Sequence, residues 1–345
     1  MNTPRRQEIF QIILENELIS ISGISEKITE KVSVPTLNRD LSALKRGNFI
    51  LPEGNGPGIK YRVNLRGLIN ANIDPEPYFK IDVDQRKILS RYNPAIIDNL
   101  KSAALFTNAE MSLLEKSTVT FQKKIKTISP TNYKKEFERL MIELSWKSSQ
   151  IEGNTYDLLD TEQLLKYNIA SPLHTSEEAT MLLNHRAAIE YTRKNADLFG
   201  QLSVSKIIDI HTLLTSKLEI SKTIRTRTVR ITGTNYTPPD NQFVIEEALQ
   251  NLCTTVNGID HVYGKALVTL LLISYIQPFD DGNKRTARLT ANALLMAANS
   301  SPLSYRSISP SEFKKSILLF YEMNNINAFK KIFIAQYQFA VENYF

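Results

Sequence analysis

The stretch SYIQPFDDGNKRTAR, residues 274–288, decides how the second half of this chain is read. An apolar run, residues 266–276, leads into it and reads as a buried helix. Pro278 stops that helix, because proline has no N–H to give and its ring clashes with the preceding turn. Asp280, Asp281, Gly282 and Asn283 make a turn, and helical spacing resumes from Lys284 to Met296. Gly282 lets the backbone turn tightly. The first N–H groups of the following helix lack partners inside it, and its positive dipole end favours an anion such as phosphate. Arg285 and Arg288 stand three apart on one face, both within reach of an anion held at that end. Asp281 is placed to hold a divalent cation that bridges phosphates. On spacing alone the alternative is a solvated helix start with an ordinary Asp-Gly turn; a short glycine motif does not decide between them.

Outward from this turn, residues 131–345 read as mainly helical. Apolar residues recur at helical spacing over 133–148, 161–167, 176–195, 204–216, 244–256, 263–276, 285–298, 309–325 and 327–343. One segment breaks the pattern. TRTVRITGTNYTPPD, residues 226–240, is β-branched and alternating, with Gly233 inside it and Pro238-Pro239 near its end, and reads as a hairpin.

Three stretches together resemble the Fic family. Its motif is H-P-F-x-[DE]-G-N-[GK]-R-x-x-R, and Pro278, Phe279, Asp281, Gly282, Asn283, Lys284, Arg285 and Arg288 all match. SSQIEGN, residues 148–154, resembles the family's inhibitory motif through Ser148, Glu152 and Gly153. RTRTVRITGTNYTPP, residues 225–239, resembles the flap that aligns a target segment, with Thr232, Gly233, Thr234 and Tyr236 at its turn. The resemblance covers roughly residues 131–340 and implies a helical bundle with a β-hairpin flap. It implies that ATP is bound with Mg2+, and that AMP passes to a hydroxyl of a target protein. Asp281 would position the magnesium ion. Gly282, Asn283 and Lys284 would hold the phosphates largely through backbone groups. Arg285 would contact a phosphate near the bond that breaks. Arg288 would take the γ-phosphate unless Glu152, steadied by Ser148, pairs with it first.

The departure is Gln277, where the family has histidine. That histidine takes the proton of the attacking hydroxyl, and a positioned base contributes about 10²–10⁴-fold. A glutamine amide only donates or accepts hydrogen bonds. His174, His185, His211 and His261 are the remaining histidines. None lies in the motif, and His185 and His211 sit in apolar helical patterns that read as structural. Three readings stay open: a nucleotide-binding regulator impaired in transfer, a weak or altered transferase restrained by Glu152, and a scaffold that binds no nucleotide.

Residues 1–66 read as a separate unit. A helix over residues 5–16 is followed by the short alternating ISIS, residues 19–22. A short helix runs from a cap at Ser25 to about Val32, and a longer helix begins after Ser33 and Pro35 and ends at Gly47. A glycine-rich hairpin over residues 49–63 closes the unit. Leu37, Leu41 and Leu44 form one face of the longer helix, and Asn38, Arg39, Lys45 and Arg46 lie off it. This order resembles a winged helix-turn-helix domain of the repressor type, with Thr36, Arg39, Asp40, Leu41 and Leu44 at the family's T-x-x-R-D-L-x-x-L positions. The resemblance implies that the helix enters the major groove of duplex DNA while the wing meets phosphates. Ten Lys/Arg against seven Asp/Glu leave this segment only +3, and the alternative is a domain for protein contacts or homodimerisation. A winged domain joined to a Fic domain is an arrangement of that family.

Residues 67–130 are less legible. NIDPEPYFKIDVD reads as a linker, and residues 85–107 and 109–114 read as helical. The whole chain of 345 residues, 42% hydrophobic and 23% charged with a net charge of +6, is expected to hold two or three globular domains. The mild positive charge permits a nucleotide or nucleic-acid partner. Cys253 is single, so no internal disulfide forms, as in a reducing compartment. The charged start is unlike a signal peptide, and the longest apolar run is too short to span a membrane. These features lead us to expect a cytoplasmic location, and the Asn-, Lys- and Ile-rich usage points to a bacterial source.

Overall fold

The computed structural model describes residues 3–16 and 18–345. The chain divides into two compact units. One runs through Asn72 and takes in Met323–Asn325; the other comprises Ile73–Glu322 and Ile326–Phe345.

The N-terminal unit contains α1 (Pro4–Glu15), β1 (Ile19–Ser20), α2 (Ile21–Lys27), α3 (Val34–Arg46), β2 (Ile50–Glu53), β3 (Lys60–Val63) and α4 (Leu65–Ile69). Thr3 caps α1 by accepting the N–H of Arg6, with Pro4 in the first turn, where its missing N–H costs nothing. The strands form one antiparallel sheet in the order β1-β3-β2. The short helix departs from expectation. Ser20, not Ser25, caps it by accepting from Gly23, so it begins earlier and ends at Lys27. Along α3, Leu37, Leu41 and Leu44 are buried as their spacing requires, and so is Asp40. The Asp40 carboxylate accepts from Arg5 Nε at 2.7 Å and Arg6 Nε at 2.8 Å, fastening α3 to α1. Two guanidinium groups are what a carboxylate needs in that position. Asn38, Arg39, Lys45 and Arg46 are all exposed.

The larger unit is helical: α5 (Pro75–Tyr78), α6 (Ala95–Ser102), α7 (Asn108–Thr127), α8 (Pro130–Ile151), α9 (Leu158–Tyr167), α10 (Ser176–Lys194), α11 (Val204–Leu214), α12 (Gln242–Asn257), α13 (Val262–Ile276), α14 (Asn283–Ala297), α15 (Pro310–Met323) and α16 (Asn327–Asn343). Its centre is α13, in which every residue from Ala266 to Ile276 is buried. A helix apolar all round has no solvent face and must be enclosed. α14 packs back along it, and α8, α10, α11 and α12 surround the pair.

Two expectations fail in this unit. Residues 85–107 are not one helix: Pro94 stands at the start of α6, and a capping box of Thr107 with Glu110 starts α7 afresh. Residues 226–240 make no hairpin ladder. The β-branched alternation there reflects an extended segment with one bonded point, where Thr237 N donates to Ser90 O at 2.9 Å and Tyr92 N to Thr237 O at 3.1 Å. Its turn passes through Gly233, whose φ of 92° suits glycine. Tyr236 is not at the surface: its ring stacks on Tyr275 at 4.6 Å and its hydroxyl donates to Tyr275 O at 3.0 Å.

Candidate functional site

The turn between α13 and α14 is built by residues that lock its backbone. Gln277 ends α13 in the left-handed region, at φ 50° and ψ 61°. That conformation costs a non-glycine residue about 1–2 kcal/mol and persists only when its surroundings impose it. Arg225 supplies the constraint. Its buried guanidinium donates through Nε to Gln277 O at 2.6 Å and through NH2 to Pro239 O at 2.6 Å and Ile276 O at 3.4 Å. The Ile276 and Gln277 carbonyls lie at the end of a helix and have no partner within it. The Arg225 N–H also donates to Pro278 O at 3.0 Å. Asn283 closes the turn from within, accepting from Phe279 N and donating to Phe279 O, both at 2.8 Å. The Phe279 ring lies flat against His211 at 3.6 Å, and His211 Nε2 lies 3.0 Å from Asp281 O. Burial, above all, lowers the His211 pKa to about 4, so the ring is neutral and Nε2 carries the proton that it donates to this carbonyl. Gly282 then begins α14 at φ 80°, and no side chain caps that end.

Around this turn the cations converge. Arg288 is 1% exposed and donates through NH1 to Glu152 Oε1 at 2.8 Å, through Nε to Ser148 Oγ at 2.9 Å and through NH2 to Ser148 O at 2.8 Å. Lys284 Nζ donates to the other oxygen, Glu152 Oε2, at 3.1 Å. Burial alone would raise the Glu152 pKa, but Arg288 and Lys284 outweigh it and hold the carboxyl at about 2. His185 Nε2 lies 2.8 Å from Ser148 Oγ, and burial, with Arg288 and Arg285 nearby, keeps that ring neutral with a pKa of about 3. Arg285 is buried; its NH2 donates to Asp281 Oδ2 at 3.0 Å, while Nε and NH1 have no hydrogen-bond partner among the described residues. The Asp281 carboxylate is 65% exposed.

A cavity of about 390 Å³ opens over this cluster, and Glu152, Arg230, Thr232, Gln277, Asp281 and Lys284 are among its lining residues. Gln277 is mostly buried, and its amide nitrogen donates to Ser274 O at 2.6 Å. A larger cavity of about 510 Å³, lined by aromatic residues such as Phe121, Tyr133 and Phe137, shares no residue with the turn.

Comparison with known proteins names the family. Residues 201–295 match the Fic/DOC family pattern, a span that takes in both the 225–240 segment and the α13–α14 turn. The chain carries a Fic/DOC family domain. Over 162 residues it is 26% identical to "Protein adenylyltransferase fic-1" of Caenorhabditis elegans, covering 44% of this chain and 31% of that protein. Over 172 residues it is 28% identical to "Protein adenylyltransferase Fic" of Nematostella vectensis, covering 47% of this chain and 39% of the relative. The chain thus spans only 31% and 39% of the length of these curated relatives. The fold resembles a solved Fic-1 fragment from C. elegans, with a TM-score of 0.58 and 18% identity over 72% of this chain and 75% of that one. It also resembles a Fic domain containing signaling protein from Bacteroides thetaiotaomicron, with a TM-score of 0.57 and 19% identity over 67% and 94%.

The structure brings Ser148, Glu152, Lys284 and Arg288 into one hydrogen-bonded cluster, although the first pair and the second stand more than 130 residues apart. Gly153 follows Glu152 at φ 99°, turning the chain away directly after the carboxylate. Thr232 lines the cavity and Gly233 accepts from Arg86, whereas Tyr236 anchors the segment from inside. Sequence reasoning missed Arg225, and it read His211 as structural without locating the carbonyl it holds. Arg225 binds four carbonyl oxygens, counting Arg227 O at 2.7 Å, and is one of several similar basic residues in its stretch. His211 reaches a carbonyl 70 positions away. Neither carries a local signal; only the fold selects it.

Proposed function

We propose that the Fic domain binds ATP with Mg2+ at the α13–α14 turn, that Glu152 restrains this site by occupying Arg288, and that Gln277 impairs transfer of AMP. The observation that supports this reading is the pairing of Arg288 and Lys284 with Glu152 beside an uncapped helix start. Phosphate oxygens would offer these cations the same charge and hydrogen bonds that the carboxylate now supplies. The partnerless Nε and NH1 of the buried Arg285 suit an anion, and Asp281 suits magnesium, which commonly takes one or two carboxylates together with substrate phosphates. Bound ATP would supply the adenylyl group, with pyrophosphate leaving as a target hydroxyl bonds to the α-phosphorus. That hydroxyl must lose its proton. Gln277 has no basicity to receive it, and His211 is engaged with Asp281 O and held neutral. Segment 226–233 would align the target. The test is calorimetric binding of Mg-ATP to the full chain beside an assay with labelled ATP. Absence of binding in both wild type and Glu152→Gln would refute the reading.

A second reading, slow but real adenylyl transfer, is favoured by the intact Glu152 pairing, since a restraint has a purpose where there is activity to restrain. For the N-terminal unit we infer a winged helix-turn-helix that binds duplex DNA. Asn38 and Lys45, like Arg39 and Arg46, stand seven apart on α3 and so share an exposed face.

A further inference from the structure

We propose that the target segment taken by the Fic domain is an extended, acidic stretch of polypeptide whose carboxylates meet Arg227, Arg230 and Lys314; this rests on the adenylyl-transfer reading of the same cleft and names its substrate class. Three observations carry it. First, residues 220–239 contain Lys222, Arg225, Arg227 and Arg230 and no acidic residue. Arg225 is consumed inside the fold, but Arg227, Arg230 and Lys222 are exposed. The Arg227 side chain is 83% exposed, and its ion pair with Asp280, at 3.4 Å, is long. A pair that exposed contributes little and is readily exchanged. Second, α15 adds Lys314 to the same rim. It lines the cavity with Arg230, and a side-chain carbon of Lys314 comes within 3.9 Å of the position a Cβ would take on Gly233. Third, none of residues 226–233 takes part in a backbone–backbone hydrogen bond among the described residues. Val229 and Ile231 are half-buried while Thr228, Arg230 and Thr232 are exposed, the alternation of an extended chain with a free edge. An incoming strand would find partners for its backbone there and cations beside its alternate side chains. Of the acids lining the cleft, Glu152 is held by Arg288 and Lys284, Asp281 is the residue assigned to magnesium, and Asp280 makes only the long pair with Arg227.

The experiment uses the full chain and fluorescent peptides of equal length. Each peptide carries one serine flanked by Asp/Glu, by Asn/Gln or by Lys. Anisotropy is read at low and high salt, beside a single-stranded oligonucleotide of similar charge. The acidic peptide is expected to bind about tenfold more tightly than the neutral one, with the advantage shrinking as salt rises. The double variant Arg227→Glu, Arg230→Glu is expected to lose that advantage and to favour the Lys peptide. The proposal is overturned by equal binding of acidic and neutral peptides, by an acidic preference that survives the double variant, or by oligonucleotide binding that the variant abolishes while peptide binding stays. Calorimetry with Mg-ATP on Arg227→Glu alone, whose side chain is not among those lining the cavity, is expected to match wild type. Loss of ATP binding there would assign Arg227 to the nucleotide and overturn the proposal as well. If wild type and Glu152→Gln both fail to bind ATP, the proposed function falls, and the peptide series still decides the charge class.

Discussion

Arg225 shows how one side chain outside a turn can set the turn's geometry. It satisfies carbonyls on both sides of the α13 terminus and joins them to Pro239. Arg225→Met removes a charged donor from buried acceptors, which costs on the order of 3 kcal/mol. A fall in the urea midpoint is expected, with Arg225→Lys recovering part of it; an unchanged midpoint for the Met variant would show that Gln277 keeps its conformation unaided. Glu152 makes a second residue-scale prediction, with a defined sign. Its carboxyl titrates lower in the folded protein than the usual 4.5, so its contribution is fully present above that value and fades as pH falls toward about 2. The Glu152–Arg288 pair is therefore expected to hold unchanged from pH 6 to 9, as read from the pH dependence of Mg-ATP affinity in wild type against Glu152→Gln. A release of the pair near neutral pH would contradict this assignment.

At the scale of elements, the proposed restraint lies between α8 and α14. The end of α8 presents Ser148 and Glu152, and the start of α14 presents Lys284 and Arg288. Replacing Glu152 by Gln leaves the length of the side chain and removes its charge. Tighter Mg-ATP binding is expected, in the range of about 5–150-fold that couplings between sites usually span; equal affinity would mean that α8 imposes nothing on the site. The helices were legible in the sequence because apolar spacing records burial, and α13, apolar on all faces from Ala266 to Ile276 except at Thr269 and Ser274, could only be enclosed. The 226–240 segment was misread because β-branched alternation signals an extended chain but does not say what pairs with it. Its bonded partner, residues 90–92, lies far away in a stretch with no strand signal. The α2 start was missed because several serines there offer a cap, and the packing chose Ser20.

At the scale of the whole molecule, the motif residues of the candidate site were legible because phosphate chemistry confines glycine, asparagine and arginine to a fixed spacing. Residues that hold the turn from outside the motif, Arg225 and His211, were not. On α3, the buried Asp40 shows that part of a motif suggestive of DNA is structural. Lys45→Glu with Arg46→Glu is nonetheless expected to weaken duplex binding by the full chain and to flatten its salt dependence, and salt-independent binding in wild type would remove the basis for a phosphate-contacting α3. The central claim concerns the larger unit: an otherwise complete nucleotide site lacks its base at position 277. The direct measurement is transfer of label from tagged ATP by wild type, Gln277→His, Glu152→Gly and the double variant, with Gln277→Ala as control. Wild type is expected to transfer poorly or not at all. Gln277→His is expected to gain at most about 10²–10⁴-fold, chiefly when combined with Glu152→Gly. Robust transfer by wild type, undiminished in Gln277→Ala, would contradict the account and send the search for the base to Asp280 and Thr234.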